Sequence, residues 1–427
     1  MLRNVAVIGA GVSGLTAGYA LRKSGIEVDV FERSESIKEF GAGITLSQNA
    51  TMLLQEIGLM ESLSSKGYHP MGSYIRDYKK AKVIKSKILD KNFITLDRRD
   101  LVATLTTGLE ETGGSISFDS EIKSIDPIAG EILISNQEKR TYDLILICDG
   151  IKSSLRELYF DNQKPQFTNY VAWRGMTSIK NLPKFEGNDK VNVYYGPGGH
   201  CVHYPTGRED LVNFIAIEQN VTWSEESWKI EGSKTEFLNR FNGWNEDLIS
   251  MFDSSQEVYK WGIFERPLPK KLYRSKCVLL GDAAHPMVPF LGQGGCLAIE
   301  DAYCLMFLLT GKEDLNAALQ KYDVLRNSRS SWVQKRSKFQ GMFNHVSNPS
   351  LAMIRNFITK LIMNNSVNRL HSYDLIKDIS KKFNFFKVHQ LSYLSGEISD
   401  KSMKNMIINF SDLIGIFSPS IIFTPFY

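Results

Sequence analysis

A short unit of strand, glycine-rich turn, helix and strand at the start of the chain constrains the fold more than any other feature. Residues 5–8 form a continuous apolar run, which is typical of a strand covered on both faces. Residues 12–23 predict a helix, and residues 28–31 predict the next strand. Such a β-α-β unit implies a parallel sheet with a right-handed crossover.

The turn in this unit has the spacing of a dinucleotide-binding site. Gly9 permits a tight turn, Gly11 lets the backbone approach a pyrophosphate, and Gly14 allows helix and strand to pack closely. Free N–H groups at the helix start would face the anion. Glu32, 18 residues after Gly14, predicts a carboxylate that accepts hydrogen bonds from a ribose. By itself this pattern does not distinguish NAD from FAD.

Two later segments of the chain contain further motifs that, together with the first glycine turn, indicate a protein family. Residues 281–295 read Gly-Asp-Ala-Ala-His-Pro-Met-Val-Pro-Phe-Leu-Gly-Gln-Gly-Gly, and Ile-Glu-Asp-Ala follows at 299–302. Residues 148–156 read Cys-Asp-Gly-Ile-Lys-Ser-Ser-Leu-Arg. The ordered trio resembles the single-component FAD-dependent aromatic hydroxylases, the group A flavoprotein monooxygenases with the para-hydroxybenzoate hydroxylase fold. Within this family, the sequence pattern resembles those of salicylate hydroxylase, hydroxynicotinate monooxygenase and the ubiquinone-synthesis hydroxylases.

This resemblance implies that residues of all three segments bind FAD. Asp282 is implied to hydrogen-bond the ribityl chain, and residues 292–294 to start a helix aimed at the isoalloxazine. A helix N-terminus there would stabilise the negative charge of the reduced ring. The residues predicted to bind FAD are Gly9, Gly11, Ser13, Gly14, Glu32, Arg33, Gly43, Arg98, Asp149, Gly150, Arg156, Gly281, Asp282, Pro289, Gly292, Gly294 and Gly295.

Three of these positions are arginines whose roles rest on the resemblance alone. It implies that Arg98 contacts FAD and that Arg33 lies near the adenine. Arg156 belongs to the segment implied to be linked to both FAD and NAD(P)H. The alternatives are a surface ion pair for Arg156 and a charge at a helix start for Arg98.

The predicted catalytic residues are His203, Tyr204 and Pro289. Residues 173–175, 203–205, 225–228 and 265–269 are similar to substrate-sheet segments of the family. Neighbouring strand residues face opposite sides, so only one of His203 and Tyr204 can point at the flavin. An inward His203 could remove a phenolic proton. The alternative is a half-buried structural histidine.

Three further side chains near these motifs have simpler interpretations. Trp173 is predicted to lie in the core rather than in the substrate pocket, and His285 to stabilise the loop near the cofactor. Arg174 is left with two alternatives, which are binding a substrate carboxylate and pairing with an acid at a domain interface.

The resemblance implies a monooxygenase reaction. NAD(P)H, visiting transiently, reduces FAD, O2 adds to give a flavin C4a-hydroperoxide, and one oxygen atom passes to the substrate. A phenolic or hydroxy-heteroaromatic substrate is the first class. The alternatives are hydroxylation or epoxidation of a polyprenyl or isoprenoid quinone precursor, and a flavin-binding redox sensor or partner-binding protein without an organic product.

The predicted fold class is α/β, with a Rossmann-like FAD domain interrupted by a mixed or antiparallel substrate sheet. The FAD domain comprises residues 1–70, 97–165 and 272–325, and the substrate domain residues 71–96 and 166–271. Residues 326–427 are predicted to form a helical C-terminal region with an apolar tail. Peripheral membrane contact is one option for that tail, and a helical cap that includes Phe383, Phe385, Phe386 and Lys387 is the other.

Composition excludes several other classes. Lys and Arg number 51 against 47 acidic residues, without a basic stripe, so no nucleic-acid partner is expected. Five scattered cysteines without CxxC spacing predict neither disulfides nor a metal site and favour the cytoplasm. No export signal or clean membrane span is recognised. Either a monomer or a homodimer is compatible with the sequence.

Overall fold

Two main sheets and a set of long helices organise the chain. The structure is a computed structural model, and it describes residues 2–37, 42–181, 187–208, 210–219 and 230–383. The strands are β1 (Asn4–Ile8), β2 (Glu27–Phe31), β3 (Gly43–Leu46), β4 (Gly72–Asp77), β5 (Val83–Ile88), β6 (Ile94–Asp97), β7 (Ser115–Ser117), β8 (Ile122–Asp126), β9 (Glu131–Ile134), β10 (Lys139–Thr141), β11 (Leu144–Ile147), β12 (Gln166–Ser178), β13 (Val191–Gly196), β14 (Gly199–Pro205), β15 (Leu211–Gln219), β16 (Ile230–Glu231), β17 (Val258–Glu265), β18 (Tyr273–Arg274) and β19 (Cys277–Leu279). The helices are α1 (Val12–Lys23), α2 (Gln48–Glu56), α3 (Met60–Lys66), α4 (Arg98–Glu111), α5 (Ser154–Tyr159), α6 (Lys234–Arg240), α7 (Glu246–Ser254), α8 (Gly294–Leu309), α9 (Leu315–Asn344), α10 (Pro349–His371) and α11 (Leu375–Phe383).

The first sheet is the Rossmann-like one. Its strand order is β18-β19-β11-β1-β2-β7, and every neighbouring pair except β18–β19 is parallel. Strands β1 and β11 are almost fully buried, because helices cover the sheet. Helix α1 connects β1 to β2 and packs against α4 and α8. The predicted α/β class is therefore confirmed.

The second sheet is mixed and faces the functional site. Its order is β16-β17-β12-β15-β14-β13-β4-β5, with only β13 and β4 parallel among the pairs. Strands β4 and β5 come earlier in the chain than the others, since β5 ends at Ile88 and β12 begins 78 residues later at Gln166. A two-stranded ribbon of β3 and β6 and a three-stranded sheet of β8, β9 and β10 complete the strands. Residues Met1–Leu375 form one compact unit, which contains both predicted domains. The boundaries between the FAD domain and the substrate domain therefore stay a prediction.

Helices α6 and α7 lie where sequence analysis predicted only strands and turns. Each begins at a side-chain cap, with Ser233 Oγ accepting from the N–H of Glu236 and Asn245 Oδ1 from that of Leu248. Phe237 of α6 stacks on Trp173 of the sheet, with ring centroids 5.2 Å apart. Trp173 is fully buried, so its assignment to the core is confirmed.

The C-terminal part of the described chain is helical, as predicted for the start of region 326–427. A second unit comprises Ile376–Tyr427, of which only the part up to Phe383 is described. The predictions for Phe385, Phe386, Lys387 and the apolar tail lie outside the described residues, as does segment 225–228. Within the described part of the chain, none of the helices combines the length and apolarity needed to cross a bilayer.

Candidate active site

The first glycine turn is packed tightly on one side and open on the other. A Cβ on Gly9, whose φ is +103°, would lie 2.6 Å from the carbonyl oxygen of Cys148, and one on Gly14 would lie 2.0 Å from that of Gly9. A Cβ on Gly11 would meet no protein atom within 4 Å. Space at Gly11 is therefore left for a group other than the protein, which fits a pyrophosphate.

Glu32 organises this turn. Its Oε2 accepts the N–H of Ala10 at 2.9 Å, and its Oε1 accepts that of Ser34 at 3.0 Å. A carboxylate has about four acceptor sites, so two bonds leave capacity for ribose hydroxyls. Arg33 is exposed beside it, and its contact with the adenine stays a prediction.

The segment after β11 contains an acceptor without a partner. Oδ1 of Asp149 is buried and has no hydrogen-bond partner among the described residues. Burial raises the pKa of Asp149 to about 6. Gly150 next to it has a φ of +83°, and a Cβ there would enter open space. An unpaired acceptor beside an opening fits a ligand that donates hydrogen bonds.

Arg156 is wrongly predicted to bind the cofactor. Its side chain is fully buried, and its Nε and NH2 donate to the carboxylate of Asp161 at 3.3 and 3.0 Å. NH1 donates to the carbonyls of Ala283 and Ala284 at 3.1 and 2.9 Å, and NH2 also donates to that of Pro267. These bonds use all five guanidinium donors. Arg156 therefore fixes the turn before α8, and the surface ion-pair alternative is also wrong.

The turn at Gly281 is held by a buried network. Its N–H donates to Asp301 Oδ2 at 2.9 Å, which also contacts His285 Nε2 at 2.5 Å, while Arg326 Nε donates to Oδ1 at 2.6 Å. Burial acts to raise the pKa of Asp301, but His285 and Arg326 hold it below its usual value. A Cβ on Gly281 would lie 2.8 Å from that of Ser13, so this turn packs on α1. His285 stabilises the loop, as predicted.

Helix α8 points its N-terminus into a cavity of about 430 Å³. The cavity is bordered by Asp282, by Pro289 and by the residues at the start of α8, namely Gly292, Gly294 and Gly295. Gly292 has a φ of +62° and a Cβ on Gly294 would meet nothing within 4 Å. The free N–H groups and partial positive charge of α8 therefore face open space, as an isoalloxazine site requires.

Arg98 and Asp282 place opposite charges at this end of the cavity. Arg98 begins α4, and both side chains line the cavity wall. Asp282 is open to the cavity, yet the surrounding protein desolvates it enough to raise the pKa of its carboxyl. Within the described ranges, no group of three or more His, Cys, Asp and Glu side chains is arranged to hold a metal ion.

The opposite wall is one face of the mixed sheet. Because side chains alternate along a strand, every second residue contributes to it. The apolar members in the centre and toward β17 are Val202, Tyr204, Ile215, Ile217, Trp261 and Ile263. Arg174 lies outside this lining, with its guanidinium 4.9 Å from the centre of the Trp261 ring.

His203 is wrongly predicted as a catalytic base. It lies between cavity-lining Val202 and Tyr204, so its ring points to the opposite face of β14. There it is fully buried and stacks on Tyr194, with ring centroids 5.7 Å apart. Burial, with a smaller contribution from Arg76, lowers the pKa of His203 to about 3. The alternative of a structural histidine describes this residue.

Tyr204 is the member of the pair that faces the cavity. The N–H of Gly43 donates to Asn213 Oδ1 at 2.7 Å, and a Cβ on Gly43 would lie 2.6 Å from Cε2 of Tyr204. The ribbon of β3 and β6 therefore packs closely on the mixed sheet beside Tyr204. Burial raises the pKa of Tyr204 well above its usual value, so the hydroxyl stays protonated at neutral pH.

A cationic group at the β5 side of the cavity and a histidine pair belong to the site, although no sequence motif indicated them. Lys87 lines the cavity, and its side-chain amine makes no hydrogen bond or ion pair with the described part of the chain. His200 Nδ1 lies 2.6 Å from His345 Nε2, and burial lowers the pKa of both rings. Alternation along β14 places His200 on the same face as Tyr204, so the sequence could have indicated it. His345 follows the end of α9, 145 residues after His200, and no local pattern links the two.

Fold and site together define a flavoprotein with a substrate cavity, and sequence comparison agrees. A family described as FAD binding domain matches residues 3–336. The chain is 29% identical to a 3-amino-4-hydroxybenzoate 2-monooxygenase of Streptomyces platensis over 80% of its own length and 88% of that relative. It is 30% identical to a 6-hydroxynicotinate 3-monooxygenase of Bordetella bronchiseptica over 78% of its length and 89% of the relative.

A solved salicylate hydroxylase substrate complex has the same fold. It is 24% identical, covers 88% of this chain and 97% of its own, and superposes with a TM-score of 0.76. The chain belongs to the FAD-binding-domain family of aromatic hydroxylases. It is an FAD-dependent monooxygenase, and FAD is its cofactor. The expected family is thereby confirmed.

Proposed function

We propose that this enzyme consumes NAD(P)H and inserts one oxygen atom of O2 into a phenolic or hydroxy-heteroaromatic substrate. The cavity between the N-terminus of α8 and the apolar face of the mixed sheet is the observation that carries this proposal. Once reduced by NAD(P)H, bound FAD would supply the oxygen activation, through the C4a-hydroperoxide expected above. Hydroxylated aromatic acids in the names of the two relatives support the substrate class.

The chain's own residues would hold FAD at three places. Glu32 and the turn at Gly11 would bind the adenosine and pyrophosphate, and Asp149 and Asp282 would accept hydrogen bonds from hydroxyl groups of the cofactor. The N-terminus of α8 would stabilise negative charge on the reduced ring. Pro289 would fix the loop before α8 against the ring, because its backbone φ is restricted.

The cavity walls would exclude water from the reacting atoms. Val202, Ile215, Ile217 and Ile263 present only hydrocarbon to the space beside the α8 N-terminus. A dry site favours oxygen transfer to the substrate over release of hydrogen peroxide. Tyr204 would hold the substrate's ring oxygen by a hydrogen bond, as a neutral hydroxyl rather than as a base.

Lys87 supports an acidic substrate. Its amine lacks a partner in the described structure, and burial lowers its pKa, so an anion beside it would be stabilising. Among the described residues that line the cavity, Asp282 is the only one with a carboxylate. We therefore propose that Lys87 pairs with the substrate's carboxylate.

The test is NAD(P)H oxidation by the FAD-loaded enzyme with a panel of hydroxylated aromatic acids, together with measurement of hydrogen peroxide. At least one acid should accelerate oxidation and be recovered with one added oxygen. Lys87→Gln should raise KM for that acid about tenfold with little change in kcat, whereas the decarboxylated analogue should show no such difference. Oxidation that no acid stimulates, with all electrons recovered as peroxide, would exclude the hydroxylase function.

A polyprenyl or isoprenoid substrate is the second candidate, and the length of the cavity favours it. Its lining extends across the sheet from β17 to β5. Six strand spacings of about 4.8 Å make roughly 29 Å, which exceeds the length of a single ring. A polyprenyl phenol that is hydroxylated faster than every aromatic acid would favour this candidate. A redox sensor without an organic product fits less well, because it needs no such cavity.

A further inference from the structure

Helix α10 exposes an apolar face to solvent. Its exposed side chains range from 36% to 75% accessible, and we call them the α10 stripe. They are Leu351, Met353, Ile354, Phe357, Ile358 and Leu361. Their spacing of three or four residues places them along one side of the helix. Contiguous apolar surface of this kind marks an interaction site in most proteins.

The inward side of α10 is polar in its first half. Arg355 is buried, donates from NH1 to the carbonyl of Asn344 at 3.0 Å and lies 4.9 Å from the centre of the Tyr195 ring. Thr359 is also buried, and its hydroxyl donates to the carbonyl of Arg355 at 2.9 Å. A helix that packs on a core normally has the opposite arrangement. The α10 stripe is therefore directed outward by the packing of the helix itself.

The charge next to the stripe is positive. Residues 349–371 contain no Asp or Glu. Strand β5 packs against α10, and Nζ of Lys85 donates to the carbonyl of Lys360 at 2.8 Å, one residue from Leu361. The hairpin of β4 and β5 has five lysines, which we call the lysine hairpin. They are Lys79, Lys80, Lys82, Lys85 and Lys87.

We propose that the α10 stripe and the lysine hairpin form a surface that rests on a lipid bilayer containing anionic lipids. Apolar side chains would enter the interface between headgroups and acyl chains, and the amines of the exposed Lys79, Lys80 and Lys82 would meet lipid phosphates. Lys85 and Lys87 also line the cavity, so its β5 end lies beside this surface. The inference does not depend on the substrate class proposed above.

A second copy of the chain fits this surface less well. A two-fold interface through the stripe would bring two lysine hairpins close together, and like charges would oppose it. Stable interfaces also bury about 800 Å² on each partner, which is large for one side of a single helix. An anionic bilayer matches both the apolar stripe and its charge.

The test is flotation of the full-length, FAD-loaded protein with vesicles. Vesicles of mixed phosphatidylcholine and phosphatidylglycerol should carry the protein upward at low salt, and vesicles of phosphatidylcholine alone should carry much less. Phe357→Ser combined with Leu361→Ser should lower the bound fraction about tenfold. Ile128→Ser is the matched control, because Ile128 is 80% exposed on the turn between β8 and β9 and belongs neither to the α10 stripe nor to the lysine hairpin.

The lysine hairpin is tested separately. Lys79→Gln combined with Lys82→Gln should weaken binding to the anionic vesicles about fivefold for each lysine, and added salt should weaken binding of the wild type likewise. Flavin absorbance and circular dichroism should be unchanged in every variant.

Three outcomes would overturn the proposal. The wild type could fail to float with anionic vesicles at low salt, or the Ile128 control could lose binding as much as the stripe variant does. Alternatively, sedimentation could show a dimer that the stripe variant lacks while vesicles bind neither protein, which would assign the stripe to a second copy.

Discussion

At the scale of single residues, Arg156 and His203 show how burial decides a role. Every guanidinium N–H of Arg156 donates to a protein acceptor. His203 lies on the face of β14 that points away from the cavity. The role of Arg156 is not visible in a local motif, because its partners Ala283 and Ala284 lie 127 and 128 residues away along the chain. The alternation of side chains along β14, by contrast, is local, and it predicts that only one of His203 and Tyr204 faces the cavity.

Arg156→Ala should lower the free energy of unfolding by about 3–5 kcal/mol, because three carbonyls lose this donor and the Asp161 carboxylate keeps only Arg266 as a cationic partner. Urea denaturation measures this loss. Arg140→Ala is the control, since its pair with Glu138 is exposed and should contribute less than about 1 kcal/mol. If the Arg156→Ala protein is as stable as the wild type but no longer binds FAD, Arg156 contacts the cofactor directly.

His203→Asn should leave kcat within about twofold of the wild type and should not shift its pH profile, since the ring lies outside the cavity. Tyr204→Phe should lower kcat about 10-fold to 100-fold by removing one hydrogen bond to the substrate. Steady-state kinetics under saturating substrate compare the two variants. If His203→Asn loses activity while its Tm is unchanged, the structural role is wrong.

At the scale of elements, prediction succeeded where the pattern is local. The bounds of α1 and the start of α8 agree with the sequence prediction, because a glycine turn marks each start. Helices α6 and α7 were missed, although the caps Ser233 and Asn245 precede apolar residues at helical spacing. The parallel pairing of β4 with β13 joins segments more than 100 residues apart, and no local sequence pattern predicts it.

The start of α8 allows a test of cofactor space. Gly294→Leu should keep or slightly raise the stability of the FAD-free protein, since Gly in a helix costs about 0.5–1 kcal/mol and its Cβ meets open space. The same side chain should weaken FAD binding at least about tenfold by occupying the ring's position. Calorimetric titration and urea denaturation measure the two effects, with Gly294→Ala as the milder variant. Unchanged FAD affinity in the leucine variant would place the ring elsewhere.

At the scale of the whole molecule, buried neutral histidines make stability sensitive to acid. His200, His203 and His345 are at most 6% exposed, and burial lowers the pKa of each, to about 3 for His203 and about 4 for His345. In the unfolded chain they titrate near 6.5, so the unfolded state takes up more protons below that pH. The stability from these residues is complete above pH 6.5 and is lost as the pH falls toward 4.

Urea denaturation at pH 7.5 and pH 5 should therefore show a lower free energy of unfolding at pH 5. Each of the three histidines contributes up to about 2 kcal/mol to this difference. His345→Asn should reduce the difference, whereas replacement of the exposed His69 should not. Equal pH dependence in the wild type and in His345→Asn would contradict the neutral buried state.

Binding of FAD to the apo-protein tests most directly whether three distant segments hold one flavin beside the cavity. Titration should give one FAD per chain, and Asp282→Ala should bind it about 10-fold to 100-fold more weakly, because a carboxylate hydrogen bond is lost. The exposed Asp253→Ala variant should bind as the wild type does. A protein that takes up no FAD, or an Asp282→Ala variant with wild-type affinity, would contradict this arrangement.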